Sequence, residues 1–369
     1  MTGTGRFEPA AVTGSTKYGP EGLYSTASFD HMDLPSDLKN AMVTAANHSL
    51  AKKTWQSYKT ASKHLKSCET ETGIKINFPM SERDTTLFLS WLLVRRGVKA
   101  STADCYLSAV RQVHMVQGLP APDLRQGVVK SIIKGGKNQD TIKERINGKR
   151  GRLPVTITIL KLLKHEIAEA KLPYSTKRLV WLICTLNFFG CFRIHETLAR
   201  SENTFDPAFT LLARDVELKQ VKIGDTVEQL LQLRLKSPKE DRVGASIFVD
   251  VYETGSLLCP VRAYKKWMLT RPPTRTDLPA FRKADGVPLT GRELNKILKT
   301  CLEKHEFYQS GTITSHSFRS GMASLMATLG YSEEEIMAMG RWSSSAFETY
   351  IKLPRRKRSE MAKDIGRRI

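Results

Sequence analysis

Along most of the chain apolar residues recur at helical spacing, and in one stretch near the middle they switch to strict alternation. From Leu38 to about Cys68 the period is helical. Trp55, Tyr58 and Leu65 share a face there, with Lys52, Lys53, Lys59, Lys63 and Lys66 elsewhere on the surface. Ser81 to Gly97 reads as a second helix, capped by Ser81 and carrying Leu87, Trp91 and Val94. Ser101 to Gly118 is a third, with Tyr106, Val110 and Val113 inward and Arg111 outward. Pro120 and Pro122 break it, and Asp123 to Ile133 forms the last helix of this block. The pattern predicts a small basic helical bundle whose Trp and Tyr side chains fill a core.

Two stretches lack periodicity. Residues 1–36 are rich in Gly, Ser, Thr and Pro and read as a flexible arm. Residues 135–153, GGKNQDTIKERINGKRGRL, hold several glycines, many charges and few apolar positions, and read as a basic linker. That linker reads as a solvated hinge, to which Lys149, Arg150 and Arg152 add candidate phosphate contacts. Past Pro154 the helical period returns over Thr158 to Ala170. Arg178 to Phe192, with its run WLICTLNFFGCF, is apolar all round and predicts a buried helix; it is shorter than the ~20 residues of a membrane span. Asp215 to Val221, Val227 to Leu235 and Ala245 to Val251 alternate as three strands, and Val261 to Leu269 and Gly291 to Lys304 are helical again. The expected architecture is mainly α with a small antiparallel β-sheet. Its parts are an arm (1–36), a helical domain (37–134), a linker (135–153), a larger second domain (154–353) and a basic tail (354–369).

Charge narrows the class of partner. Lys and Arg number 58 against 37 Asp and Glu, a net charge of +21 over 369 residues, with a pI near 9.8. The excess is spread along the chain, which points to a polyanion. No apolar run reaches membrane-spanning length and residues from Met1 onward lack a signal-peptide core, so an intracellular protein with no membrane partner is expected. Cysteines 68, 105, 184, 191, 259 and 301 never form C-x-x-C, as expected of reduced, mostly buried thiols. There is no P-loop, G-x-G-x-x-G, H-E-x-x-H or zinc spacing, so no cofactor and no metal is expected.

Chemistry concentrates in Thr314 to Tyr350. His316 and Arg319 are three residues apart and face one side of a predicted helix, which Thr314 or Ser315 can cap and Gly330 can close. Ser332 and Glu335 form a capping box for a second short helix ending at Gly340, with Arg341 and Trp342 immediately after. A third helical turn leads from the serines at 343–345 to Tyr350. The stretch assembles phosphate-binding guanidinium forks, an indole N–H donor and a phenol, brought together by short helices. Taken singly, His316 is equally a helix-end histidine, Trp342 a core aromatic and Tyr350 a half-buried tyrosine. Their ordered co-occurrence in a basic two-domain chain is what is specific.

The set H-x-x-R, G-R-W and Tyr (His316, Arg319, Gly340, Arg341, Trp342, Tyr350) resembles the tyrosine recombinase/integrase family. Trp342 and Tyr350 are 8 residues apart (350 − 342 = 8), one fewer than in most bacterial and phage members. The GRW and AFETYIK wording is similar to Crypton and DIRS-type recombinases of eukaryotic mobile elements. Upstream, Gly190, Arg193, Glu196 and Leu198 are similar to the family's first arginine box, with Glu196 one turn from Arg193 and able to orient its guanidinium. The family carries a lysine on a β-hairpin. In LKSPKEDR, Lys239 matches that position better than Lys236, and Arg242 follows it.

The resemblance implies a helical core-binding domain and a catalytic domain clamping DNA, with dimers on a site and a tetramer in synapsis. It implies that Arg193, Arg319, His316 and Trp342 bind the phosphate, that Tyr350 forms a 3′-phosphotyrosyl bond, and that Lys239 protonates the leaving 5′-oxygen. Lys236, Arg242, Lys149, Arg150 and Arg152 remain candidate DNA contacts. A type IB topoisomerase and a non-catalytic DNA-binding factor derived from a recombinase are the alternatives. The cluster Arg355 to Arg358 serves equally as a nuclear localisation signal, a DNA contact or a solubilising tail.

Overall fold

The computed structural model describes residues 24–49, 52–121, 123, 126–148, 151–236, 246–273, 275–345, 348 and 351, and its contacts separate two units, Met1–Lys149 and Arg150–Ile369. Each is built around its own apolar cluster.

The first unit contains α1 (Ser36–His48), α2 (Lys52–Thr72), α3 (Glu82–Val94), α4 (Ala100–Val116) and α5 (Gly127–Ile146). The helix expected from Leu38 to Cys68 is thus two helices. Ser81 caps α3 as its sequence position demands, accepting from the Asp84 N–H at 3.1 Å. Phe88, Leu89 and Leu92 of α3 meet Leu107 and Val110 of α4 and Val129 of α5 in the core. Trp55 and Trp91 are buried, consistent with a packing role. Val94 is not inward: it is 81% exposed. At 100° per residue it lies about 200° around the helix from Leu92, on the far face.

Two stretches without apolar periodicity are nonetheless ordered by tertiary contacts. The end of the expected arm is held: Tyr24 stacks on Phe29 at 5.8 Å and packs edge-on to Trp55, while its backbone N–H and C=O bond the Asn47 amide. The expected linker is helical as far as Ile146, because α5 continues along the start of α4 through Gly136, Asp140 and Glu144. Gly136 lies against Ala100, where an added Cβ would stand 2.9 Å from the alanine methyl. Asp140 then caps α4 by accepting the Ala100 N–H at 2.8 Å, and Lys137–Asp104 and Lys99–Glu144 ion pairs flank it.

The second unit contains α6 (Ile157–Glu169), α7 (Tyr174–Phe189), the single turn α8 (Ile194–Thr197), strands β1 (Val216–Ile223), β2 (Thr226–Leu235) and β3 (Ile247–Tyr252), then α9 (Pro260–Met268), α10 (Gly291–Leu302), α11 (Ser315–Leu329) and α12 (Glu333–Gly340). The strands form an antiparallel sheet in the order β1-β2-β3. Register pairs Leu231 with Val251, and Leu233 with Val216 and Val249, so one face joins the core, while Leu218 opposite Leu231 is 42% exposed at its edge. The other carries a polar row in which Lys219 donates to Gln232 and Gln232 to Asp250. Apolar almost all round, α7 is the central post, packed by α6, α9 and α11. On the α11 side the approach is close: the Val155 N–H donates to the Ser317 carbonyl at 2.9 Å, and a Cβ at Gly321 would overlap the Val155 carbonyl. Among the described residues no helix is long and apolar enough to cross a membrane.

Candidate active site

The buried helix α7 ends at Phe189, three residues before its expected end, with Gly190 as its C-cap, and the turn Cys191–Phe192 delivers Arg193 to the N-cap of α8. Gly190 is required there, because a Cβ would overlap the Phe192 ring. The three-residue spacing then brings Arg193 and Glu196 together. The Arg193 Nη1 donates to Glu196 Oε1 at 2.9 Å and its backbone N–H to Oε2 at 2.9 Å.

From the other end of the domain, α11 presents His316 and Arg319. Its N-cap is Thr314, and Gly330, at φ 92°, closes it in the left-handed conformation that glycine tolerates. The first N–H of this helix is not free for an anion, since Ser315 donates it to Asn295 at 2.9 Å. Arg319 is 0% exposed. Its Nη1 donates to the Cys191 carbonyl and its Nη2 to the Gly340 carbonyl, while the Nε has no hydrogen-bond partner among the described residues. The Trp342 ring covers the guanidinium at 4.2 Å, itself 9% exposed and packed on Ala323, Met326 and Ile336. Gly340 allows that packing, because a Cβ there would overlap the indole.

Between these elements stands Arg341, the C-cap of α12, in the left-handed conformation at φ 54°. Its guanidinium donates to the Gly190 carbonyl (2.9 Å), the Cys191 carbonyl (3.3 Å) and Glu196 Oε2 (3.0 Å), and lies over the Phe192 ring. A non-glycine residue at such a φ costs about 1–2 kcal/mol. A charge-assisted hydrogen bond contributes about 1.5–3 kcal/mol, so the three bonds outweigh the backbone cost.

Two guanidiniums, Arg193 and Arg341, therefore pair with one carboxylate, and Arg319 lies within electrostatic reach of it. Burial pushes the Glu196 carboxyl up, but Arg341 and then Arg193 outweigh it and hold the group below the usual glutamate range. Burial and the neighbouring charge of Arg193 bring the Arg319 guanidinium down to about 10. Burial, with Arg152, Arg319 and Arg193 nearby, also lowers His316, keeping it neutral at physiological pH. His195, which sequence reasoning passed over, is lowered by burial and lies within electrostatic reach of Arg193, Glu196 and His316. Burial raises the Cys191 thiol to about 11, so this residue contributes its carbonyl and not its sulfur.

The structure thus brings Arg193, Glu196, His316, Arg319, Arg341 and Trp342 together, with the exposed Arg152 near His316. It turns Arg319 toward backbone carbonyls, where an anion-facing fork was expected. Lys236 forms a buried ion pair with Asp215 at 2.6 Å and also donates to the Pro207 carbonyl at 3.0 Å. Tyr350, Lys239, Arg242, Lys149 and Arg150, and the cluster Arg355 to Arg358, lie outside the described residues. Arg341 had been legible only as part of the G-R-W wording. Its partners are 145 residues or more away in the chain, beyond the reach of any local spacing rule.

Among solved structures, the chain has the fold of site-specific recombinases and transposon integrases. The XerH site-specific recombinase bound to palindromic difH substrate, in a post-cleavage complex, is 15% identical over 89% of this chain and 84% of that one, with a TM-score of 0.56. The Tn1549 transposon integrase in complex with circular intermediate DNA is 13% identical over 88% and 97%, with a TM-score of 0.55. At these identities the likeness is one of fold. No family model and no curated protein matches the chain.

Proposed function

We propose that this protein is a tyrosine site-specific recombinase that cuts and rejoins DNA through a phosphotyrosyl intermediate, as the transposase of a mobile element. The observation that carries the reading is the convergence of Arg193, Glu196, His316, Arg319 and Trp342, from motifs more than a hundred residues apart, within a recombinase fold. The strongly basic chain supports DNA as the partner. The GRW and AFETYIK wording favours an element of the Crypton or DIRS type, and in a eukaryotic cell the cluster Arg355 to Arg358 would direct the protein to the nucleus.

The chemistry follows from the side chains. A phosphodiester's non-bridging oxygens gain charge as a nucleophile attacks phosphorus, and fixed donors stabilise that charge. Arg193, its orientation set by Glu196, and the neutral His316 are both partly exposed and are the donors assigned to these oxygens. Arg319 bonds the backbone that holds the two halves of the site together, and contacting the phosphate would require its indole cover to shift. The Tyr350 oxygen attacks phosphorus, an O–P bond forms to the 3′-phosphate, and the bond to the 5′-oxygen breaks. Lys239 supplies the proton that makes the leaving group a 5′-hydroxyl, and the phenolic proton passes to a base such as His316. Because the phosphotyrosyl bond keeps the phosphodiester's energy, attack by another 5′-hydroxyl rejoins DNA without ATP. Dimers on each site and a synaptic tetramer would place two such exchanges side by side.

A pool of nicked duplexes of randomised sequence tests this in EDTA. Wild type should yield an SDS-resistant protein–DNA adduct and Tyr350→Phe none. Tight binding by wild type without any adduct would instead make the protein a non-catalytic DNA-binding factor.

A further inference from the structure

Among the described residues, two non-glycine positions have φ in the left-handed region, Cys191 at 48° and Arg341 at 54°. They meet in one hydrogen bond, from the Arg341 guanidinium to the Cys191 carbonyl. Strained backbone persists where the surroundings over-determine it, and it gathers at functional sites. At position 341 glycine would hold the conformation without strain, yet the chain carries an arginine whose fork reaches three acceptors around Arg193. Those acceptors are the two carbonyls of the turn that delivers Arg193 and the carboxylate that orients it. Arg319 bonds the same Cys191 carbonyl, so two like charges stand side by side and Glu196 provides the counter-charge.

We infer that Arg341 is a positioning residue, which clamps the turn carrying Arg193 to the start of the segment that leads, nine residues on (350 − 341 = 9), to Tyr350. The inference rests on the proposed DNA cleavage. The clamp sets the distance between the phosphate-binding fork and the origin of the nucleophile's segment, and misplacement of such groups is costly to rate. Lysine cannot substitute, because one ammonium on a flexible stem does not reproduce a planar fork.

Three roles for Arg341 differ in what its loss changes. A DNA contact would weaken binding; a purely structural residue would lower stability and leave the folded enzyme's rate intact. A clamp slows cleavage while binding is preserved. Arg341→Gly suits φ 54° and Arg341→Lys keeps the charge; both are measured on the nicked duplex pool for affinity and single-turnover adduct formation, with amide exchange of the free protein.

The clamp predicts affinity within about twofold of wild type, adduct formation slower by about tenfold or more, and faster exchange over residues 191–198 with α11 unchanged. If Arg341→Gly loses protection throughout the unit, Arg341→Lys decides on the same readouts. Wild-type cleavage rates in the variants overturn the inference alone. Weakened affinity at an unchanged rate assigns Arg341 to DNA and also overturns it. Absence of any adduct with wild type overturns the proposed function and this inference together.

Discussion

At the scale of the residue, buried polar groups decide where the protein is rigid and where it titrates. His114 of α4 is fully buried, with its Nδ1 donating to the Val110 carbonyl at 2.8 Å and its Nε2 accepting the Met80 N–H at 2.8 Å. Both ring nitrogens are committed in the neutral form, and a second proton would face an N–H. Burial accordingly lowers its pKa, as partial burial does for His64 and His316. A histidine whose folded pKa is depressed stabilises the fold above its unfolded pKa of about 6.5. That contribution is lost as pH falls through the folded value. Amide exchange in α4, corrected for intrinsic rates, should show lower protection at pH 5.5 than at pH 7.5, with at most about 1.4 kcal/mol lost per histidine over the unit below 6.5. Equal protection at the two pH values would mean that the His114 ring takes a second proton in place.

The same scale shows what spacing reveals. Arg193 and Glu196 meet because they are three residues apart at a helix start, a relation readable from the chain. The Arg341–Glu196 pair joins residues 145 apart, and nothing local announces it.

Among elements, strands and helix caps were legible and helix ends were less so. Alternation located all three strands within two residues of their observed ends, since a sheet with one buried face must alternate. The apolar period predicts α5 only as far as Ile133, because its contact stripe beyond that residue is Gly136, Asp140 and Glu144. That stripe has helical period without any apolar signal. For the converse reason the apolar run overstates α7, as Cys191 and Phe192 continue it through a turn.

Close element packing gives a sharp test at Gly321, where α11 touches the backbone before α6. Gly321→Ala would push a methyl group into the Val155 carbonyl and toward Phe188. Overpacking of this kind costs about 1–3 kcal/mol, against a gain of up to about 1 kcal/mol from helix propensity. Thermal unfolding should therefore move down by several degrees. An unchanged or higher midpoint would show that α11 can slide away from Val155 freely.

For the whole molecule, net charge bears on the proposed DNA partner. A chain of +21 that neutralises several phosphates releases counterions, so log K for duplex DNA should fall linearly with log salt, by about 0.9 per contact. Filter binding between 50 and 200 mM salt, chosen to span the range where about 10³-fold losses occur for six or more contacts, checks this. A response equivalent to one or two contacts would argue against DNA held by both units. The contacts divide the chain after Lys149, inside the basic stretch 135–153. In the second unit periodicity marks the strands and most helices, whereas which loops and helix ends meet is legible only through the motifs.

The central claim is that a tyrosine becomes covalently joined to DNA beside the arginine cluster, and peptide mapping tests it most directly. Wild-type protein trapped on the nicked duplex pool would be digested with trypsin and nuclease, and the nucleotide-bearing peptide sequenced by mass spectrometry. The proposed chemistry predicts a 3′-linked nucleotide on Tyr350, absent from the Tyr350→Phe protein. A nucleotide on any other residue, or the same adduct persisting in Tyr350→Phe, would contradict it.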